Sequence, residues 1–120
     1  MENKATEAQI QNYCLSRLQM LELQQPIYYF RSNSFSGSIT RYDGSRGFIK
    51  SAKRGLPDIV LLVNGAFVGL ELKTEKGRQS DVQKQAQEQI EKAGGKYFIC
   101  RSPESFETII KELLKRSPLN

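Results

Sequence analysis

The sequence predicts a small α/β domain, a mixed β-sheet flanked by helices, occupying residues 1–120 as one unit. Apolar residues recur at helical spacing in several stretches, among them Ile10, Cys14, Leu18 and Leu21. Two β-rich runs flank Asn64-Gly65, a strong hairpin signal. At 120 residues the chain can bury one modest core, with little left over for a second domain.

Taken in order, residues 5 to about 24 read as a helix whose stripe is Ile10, Cys14, Leu18 and Leu21. Thr6 or Asn3 is placed to cap it, and Pro26 ends it. Ile27 to Phe30 is a short aromatic strand. The Ser-, Gly- and Arg-rich stretch 31–55 predicts a long loop or loose hairpin, with a turn at Asp43-Gly44. Asp58 to Val63 and Ala66 to Lys73 are the strands of the Asn64-Gly65 hairpin, and a charged connector, Thr74 to Arg78, follows. Ser80 and Gln83 form a capping box for a helix from Asp81 to Ala93, with Val82, Ala86, Ile90 and Ala93 as its buried stripe. Gly94-Gly95 ends that helix. Lys96 to Arg101 is a further strand. Ser102 and Pro103 then start a last helix with Phe106, Ile109, Ile110, Leu113 and Leu114 on its apolar face.

Composition narrows the chemistry. Hydrophobic residues at 38% and charged residues at 26% fit a soluble globular chain. Eighteen Lys and Arg against thirteen Asp and Glu give a formal charge of +5, which favours a polyanionic partner such as nucleic acid. The chain has no histidine, which excludes Ser-His-Asp triads, His-based zinc sites and His general bases. Catalysis must then run on carboxylates, lysine, tyrosine or a bound metal. Cys14 and Cys100 lie in apolar stretches outside any metal-ligand spacing and read as buried thiols of a reducing compartment. No apolar run is long enough to span a membrane, and the polar N-terminus lacks a signal-peptide core. A cytoplasmic location is expected, with no membrane partner and no organic cofactor.

The second hairpin strand carries the chemical signal. Side chains alternate along a strand, so Phe67, Gly69, Glu71 and Lys73 share one face while Val68, Leu70 and Leu72 share the other. Gly69 leaves room for something to approach that face. Across the Asn64-Gly65 turn, Asp58 should lie near Glu71 and Lys73. Two carboxylates beside a lysine suit a divalent-metal phosphodiester site: oxygen ligands for the cation, and an ammonium to offset charge on phosphorus. The competing reading is an ordinary surface salt bridge between Glu71 and Lys73.

Gly55-Leu56-Pro57-Asp58, then Glu71-Leu72-Lys73 after twelve intervening residues, then Gln83 in the following helix, resembles the PD-(D/E)xK nuclease superfamily. More closely, the chain resembles its virus-type replication-repair nuclease (VRR-Nuc) family over residues 5 to 105, including the run Gly77-Arg78-Gln79-Ser80 and Gly94-Gly95 before an apolar strand. The resemblance implies a restriction-endonuclease-like core and hydrolysis of DNA with Mg²⁺ or Mn²⁺. It implies Asp58 and Glu71 as metal-ligand carboxylates, the Leu72 backbone carbonyl as a further ligand, and Lys73 as the catalytic lysine. Gln83 matches a glutamine lining the site, and Glu7 matches a first-helix acid that contributes to the metal, often through water. From spacing alone, Glu7 lies at the open end of the buried stripe, where it is either a helix-dipole carboxylate or an inward ligand. Gln83 is equally a capping residue, a role hard to combine with one in the site.

Arg31, Arg41, Arg46, Lys50, Lys53 and Arg54 cluster in the 31–55 stretch with Phe35, Tyr42 and Phe48 among them. That is either a nucleic-acid-binding composition or a solvated loop with a few anchoring rings. Lys76 and Arg78 lie just past the second hairpin strand, and the Arg31-Ser32-Asn33 stretch also matches the family pattern, which places Asn33 near the site. Stand-alone members of the family resemble Holliday junction resolvases, which implies a structure-selective endonuclease acting on branched DNA as a homodimer. The last helix and the first strand are candidate dimer surfaces. The alternatives are a monomeric nuclease of flaps or single-strand/duplex junctions, and a catalytically silent DNA-binding module.

Overall fold

Thr6 opens the first helix by accepting from the Gln9 backbone N–H, while the Gln9 side chain accepts from the Thr6 N–H, a complete capping box. The computed structural model describes residues 4–32, 37–49 and 54–115. The elements are α1 (Glu7–Leu21), β1 (Ile27–Arg31), β2 (Gly37–Thr40), β3 (Arg46–Ile49), β4 (Ile59–Val63), β5 (Ala66–Leu72), α2 (Asp81–Lys92), β6 (Lys96–Cys100) and α3 (Pro103–Leu113).

The main sheet has the order β1-β4-β5-β6. Asn64 at φ 51° and Gly65 at φ 80° take the left-handed turn that hairpin twist requires, which sets Val63 opposite Ala66 and Ile59 opposite Leu70. β1 joins β4 antiparallel, and β6 joins β5 in parallel. A parallel neighbour needs a crossover, and α2 supplies it. One face of this mixed sheet presents Ile59, Leu61, Val63, Val68, Leu70, Leu72 and Cys100 to the stripes of α1 (Ile10, Cys14, Leu18) and α3 (Phe106, Ile109, Ile110, Leu113), forming the core. Cys14 and Cys100 are buried there as free thiols with Sγ atoms 4.0 Å apart. Within the 31–55 stretch, the described residues 37–49 take the hairpin form: β2 and β3 pair with each other in a separate two-stranded ribbon.

The α2 stripe departs from expectation. Val82, Ala86 and Ile90 are only half-buried and Ala93 is exposed. α2 packs mainly on β6, leaving its apolar stripe along an open groove of about 330 Å³ whose other wall is Leu56, Pro57, Val60 and Phe67. The periodicity marked the correct helix face, but that face lines an open groove against Val60 of β4 and Phe67 of β5 rather than closing a second core.

Candidate active site

Asp58 is held from two sides. The end of β1 lies beside the start of β4, so the Ser32 backbone N–H donates to the Asp58 carbonyl at 3.0 Å, and the Ser32 hydroxyl donates to the Pro57 carbonyl. On the other side the Leu72 N–H donates to Asp58 Oδ2 at 2.7 Å. The hairpin therefore brings Asp58 to the end of β5, as the alternation predicts. Gly69 does admit a close approach, but by the protein itself: a Cβ there would meet Pro57 at 2.9 Å and Tyr97 at 3.3 Å.

Glu71 is 2% exposed, the one buried charged residue among the described residues. Gln83 Nε2 donates to its Oε2 at 2.5 Å, the Tyr97 hydroxyl donates to its Oε1 at 3.2 Å, and Lys73 Nζ lies 3.9 Å from Oε2. Burial first, and then the negative charge of Asp58, push its carboxyl up to about 8, with Lys73 and Tyr97 opposing. Burial also raises the Tyr97 phenol. A surface salt bridge would leave the Glu71 carboxylate in water, whereas here it is enclosed and crowded by a second carboxylate.

This donor set fits a divalent cation, which would compensate two converging carboxylates at once. Among the described residues no three Asp, Glu or Cys side chains converge as a metal cluster. Asp58 and Glu71 are thus a two-carboxylate set, which suits Mg²⁺, an ion that commonly takes one or two carboxylates together with waters and substrate phosphate oxygens.

The other expected residues are distributed unevenly. Gln83 does what its sequence position made hard to combine. Its Oε1 accepts from the Ser80 N–H at 2.8 Å to complete the α2 capping box, while its Nε2 reaches Glu71. An amide has separate donor and acceptor ends, and the first turn of α2 faces the site. Gly55, at φ 72°, brings the preceding loop against that turn; a Cβ there would lie 2.5 Å from the Val82 carbonyl oxygen. Leu72 contributes its peptide N–H to Asp58. Glu7 sits exposed in the first turn of α1 rather than on the buried stripe, which begins at Ile10. Arg31, Arg41, Arg46, Arg54, Lys76 and Arg78 are all exposed. Asn33, Lys50 and Lys53, with Phe35, lie outside the described residues.

Sequence reading missed three contributors. Tyr97 was visible only as one ring in a strand; its partnership with Glu71 depends on the parallel register that sets Gly69 beside it. Ser32 sits one residue before the expected Asn33. Arg101 Nη1 donates to the carbonyls of Thr74 at 2.8 Å and Gly77 at 2.6 Å, pinning the connector that carries Lys76 and Arg78.

The buried Glu71 carboxylate, with Asp58 and Lys73 beside it, thus sits at the end of a hairpin in a helix-flanked mixed sheet. A solved structure described as "VRR_NUC domain" shares this fold with a TM-score of 0.60 and 20% sequence identity, over 89% of this chain and 97% of that one. No family model matches the sequence, and no curated protein matches it.

Proposed function

We propose that this chain is a Mg²⁺- or Mn²⁺-dependent DNA endonuclease, selective for branched DNA, with the Holliday junction as substrate and a homodimer as the acting form. The observation that carries the reading is the buried Glu71 carboxylate crowded by Asp58 and flanked by Lys73. Asp58 and Glu71 would hold the cation, with the Leu72 carbonyl as a further ligand and Glu7 contributing through water. When bound, the cation supplies Lewis acidity to the scissile phosphate and acidifies the attacking water. The protein's own groups do the positioning. Gln83 and Tyr97 each hold one oxygen of Glu71, so the carboxylate is oriented before substrate arrives. The Lys73 ammonium, half-buried beside it, offsets the charge that develops on the phosphoryl oxygens. Exposed Arg31, Arg54, Lys76 and Arg78, the Arg41 and Arg46 pair of the ribbon, and Asn33, Lys50 and Lys53 would follow the DNA backbone.

The homodimer is supported by a patch on the site face of the sheet, where Tyr28, Phe30, Leu62 and Phe67 are exposed together. The apolar stripe of α3 is spent on the core, which favours β1 over the last helix as the contact. A two-fold dimer supplies the two sites that matched cuts in a four-way junction need. The test is cleavage of labelled four-way junctions, flaps and linear duplex with Mg²⁺, Mn²⁺ or EDTA. Paired symmetric nicks confined to junctions are expected. Flap cutting by a monomer would replace the resolvase reading, and binding without metal-dependent cutting would leave a silent DNA-binding module.

A further inference from the structure

The β2–β3 ribbon presents two exposed aromatic rings that the proposed chemistry does not use. Tyr42, at the turn, is fully exposed, and Phe48 is 61% exposed. Phe48 stands opposite Ser38, and Arg46 opposite Thr40, so these four side chains share one face of the ribbon, and all four are exposed. That face is a ring flanked by a guanidinium and two hydroxyls. The opposite face is structural: the Arg41 guanidinium lies across Gly47, where a Cβ would come within 2.2 Å of it, and donates to the Arg46 carbonyl at 2.7 Å.

The turn that carries Tyr42 is organised in advance. Gly44 takes φ 89°, its N–H donates to the Arg41 carbonyl at 2.9 Å, and the Arg41 N–H donates to the Ser45 carbonyl at 2.8 Å. Asp43 Oδ1 accepts from both the Ser45 N–H at 2.9 Å and the Ser45 hydroxyl at 2.7 Å, which ties that side chain to the turn. Holding a large ring in water on a fixed turn leaves little ordering cost when a partner arrives.

We infer that the ribbon is a base-stacking element that selects DNA with unpaired bases, with Tyr42 at its tip and Phe48 on its face as stacking platforms and Arg46 as the phosphate contact. The inference rests on the DNA reading above. Stacking suits this surface because every base offers a π-face, and in intact duplex those faces are occupied by neighbouring bases. Rings can reach them only where a strand is open, at a branch, gap or bubble. The ribbon thereby adds selectivity for open structure that the carboxylate site cannot provide.

The experiment is fluorescence anisotropy in EDTA, where no cleavage occurs. It uses a linear duplex, the same duplex with a central thymine bubble, single-stranded oligothymidine and its RNA counterpart. Wild type should prefer the bubble and single strand over duplex. Tyr42→Ala and Phe48→Ala should each weaken bubble binding roughly 5- to 150-fold while leaving duplex binding unchanged. Tyr42→Phe should bind as wild type, because the ring is retained. Melting temperatures should be unchanged, since both side chains are exposed. Unchanged bubble preference in Tyr42→Ala and Phe48→Ala overturns the inference, as does an equal loss on duplex. A Tyr42-dependent preference for RNA over DNA overturns the assignment to DNA. Tyr42-dependent bubble binding by a protein that never cuts would support the ribbon's role while sinking the nuclease reading.

Discussion

Gln83 shows how one side chain can serve fold and site together. Its acceptor end caps α2 and its donor end fixes Glu71, so its loss should be felt twice. We predict that Gln83→Ala lowers stability by about 1 kcal/mol, the typical value of a cap, and also reduces cleavage. Ser80→Ala should cost similar stability while keeping the Glu71 contact and most activity. Denaturant unfolding and cleavage rates of the two variants check this. Glu71 makes a second prediction. Its carboxyl is raised from an ordinary 4.5 to about 8, so the folded state binds that proton more tightly than the unfolded state. The stabilising contribution is full below about 4.5 and is lost as pH rises through about 8. In EDTA the melting temperature should fall across that window, and Mg²⁺ or Mn²⁺ should restore it at the upper end. A flat profile that ignores cation would contradict a buried, crowded carboxylate.

At the scale of elements, α1 and α3 are tied by more than their stripes. Arg17 donates to both oxygens of Glu107 at 2.8 and 3.0 Å, and the Tyr13 hydroxyl donates to Oε2 at 2.6 Å. These bonds hold the Glu107 carboxyl below its usual range, the Arg17 bond foremost. The pair is about a third exposed, so solvent screens it, and Glu107→Ala should cost no more than about 1 kcal/mol. A depressed carboxyl contributes above its unfolded value and loses that contribution as pH falls, so the cost of Glu107→Ala should shrink in acid; melting curves of the variant read both. How these elements were legible follows from what sets them. Caps at Ser80 and Ser102, the Asn64-Gly65 turn and the Ile10-Cys14-Leu18 stripe are local, and the sequence displayed them directly. Asp58 beside Glu71 needed only a hairpin register. Tyr97 on Glu71 needed a parallel pairing between strands separated by a helix, and Ser32 on Pro57 needed the end of β1 placed beside the start of β4. No local pattern encodes either. The α2 stripe misled because periodicity reports which face is apolar, not how much protein covers it.

For the whole molecule, the sheet divides its labour between faces. One is consumed by α1 and α3 as core; the other carries the carboxylates, the half-covered α2 groove and the exposed Tyr28, Phe30, Leu62 and Phe67. If that patch joins two copies, Leu62→Lys should convert a dimer to a monomer in light scattering without unfolding, because Leu62 faces outward at 46% exposure. Junction cleavage should then lose its paired nicks. The central claim is the site itself, and the most direct measurement compares metal-dependent cleavage by wild type, Lys73→Ala and Glu71→Gln on one branched substrate. The account predicts cutting that EDTA abolishes, with both variants slowed by roughly 100-fold or more while still binding DNA. Wild-type rates in Lys73→Ala or Glu71→Gln, or cutting that persists in EDTA, would contradict it.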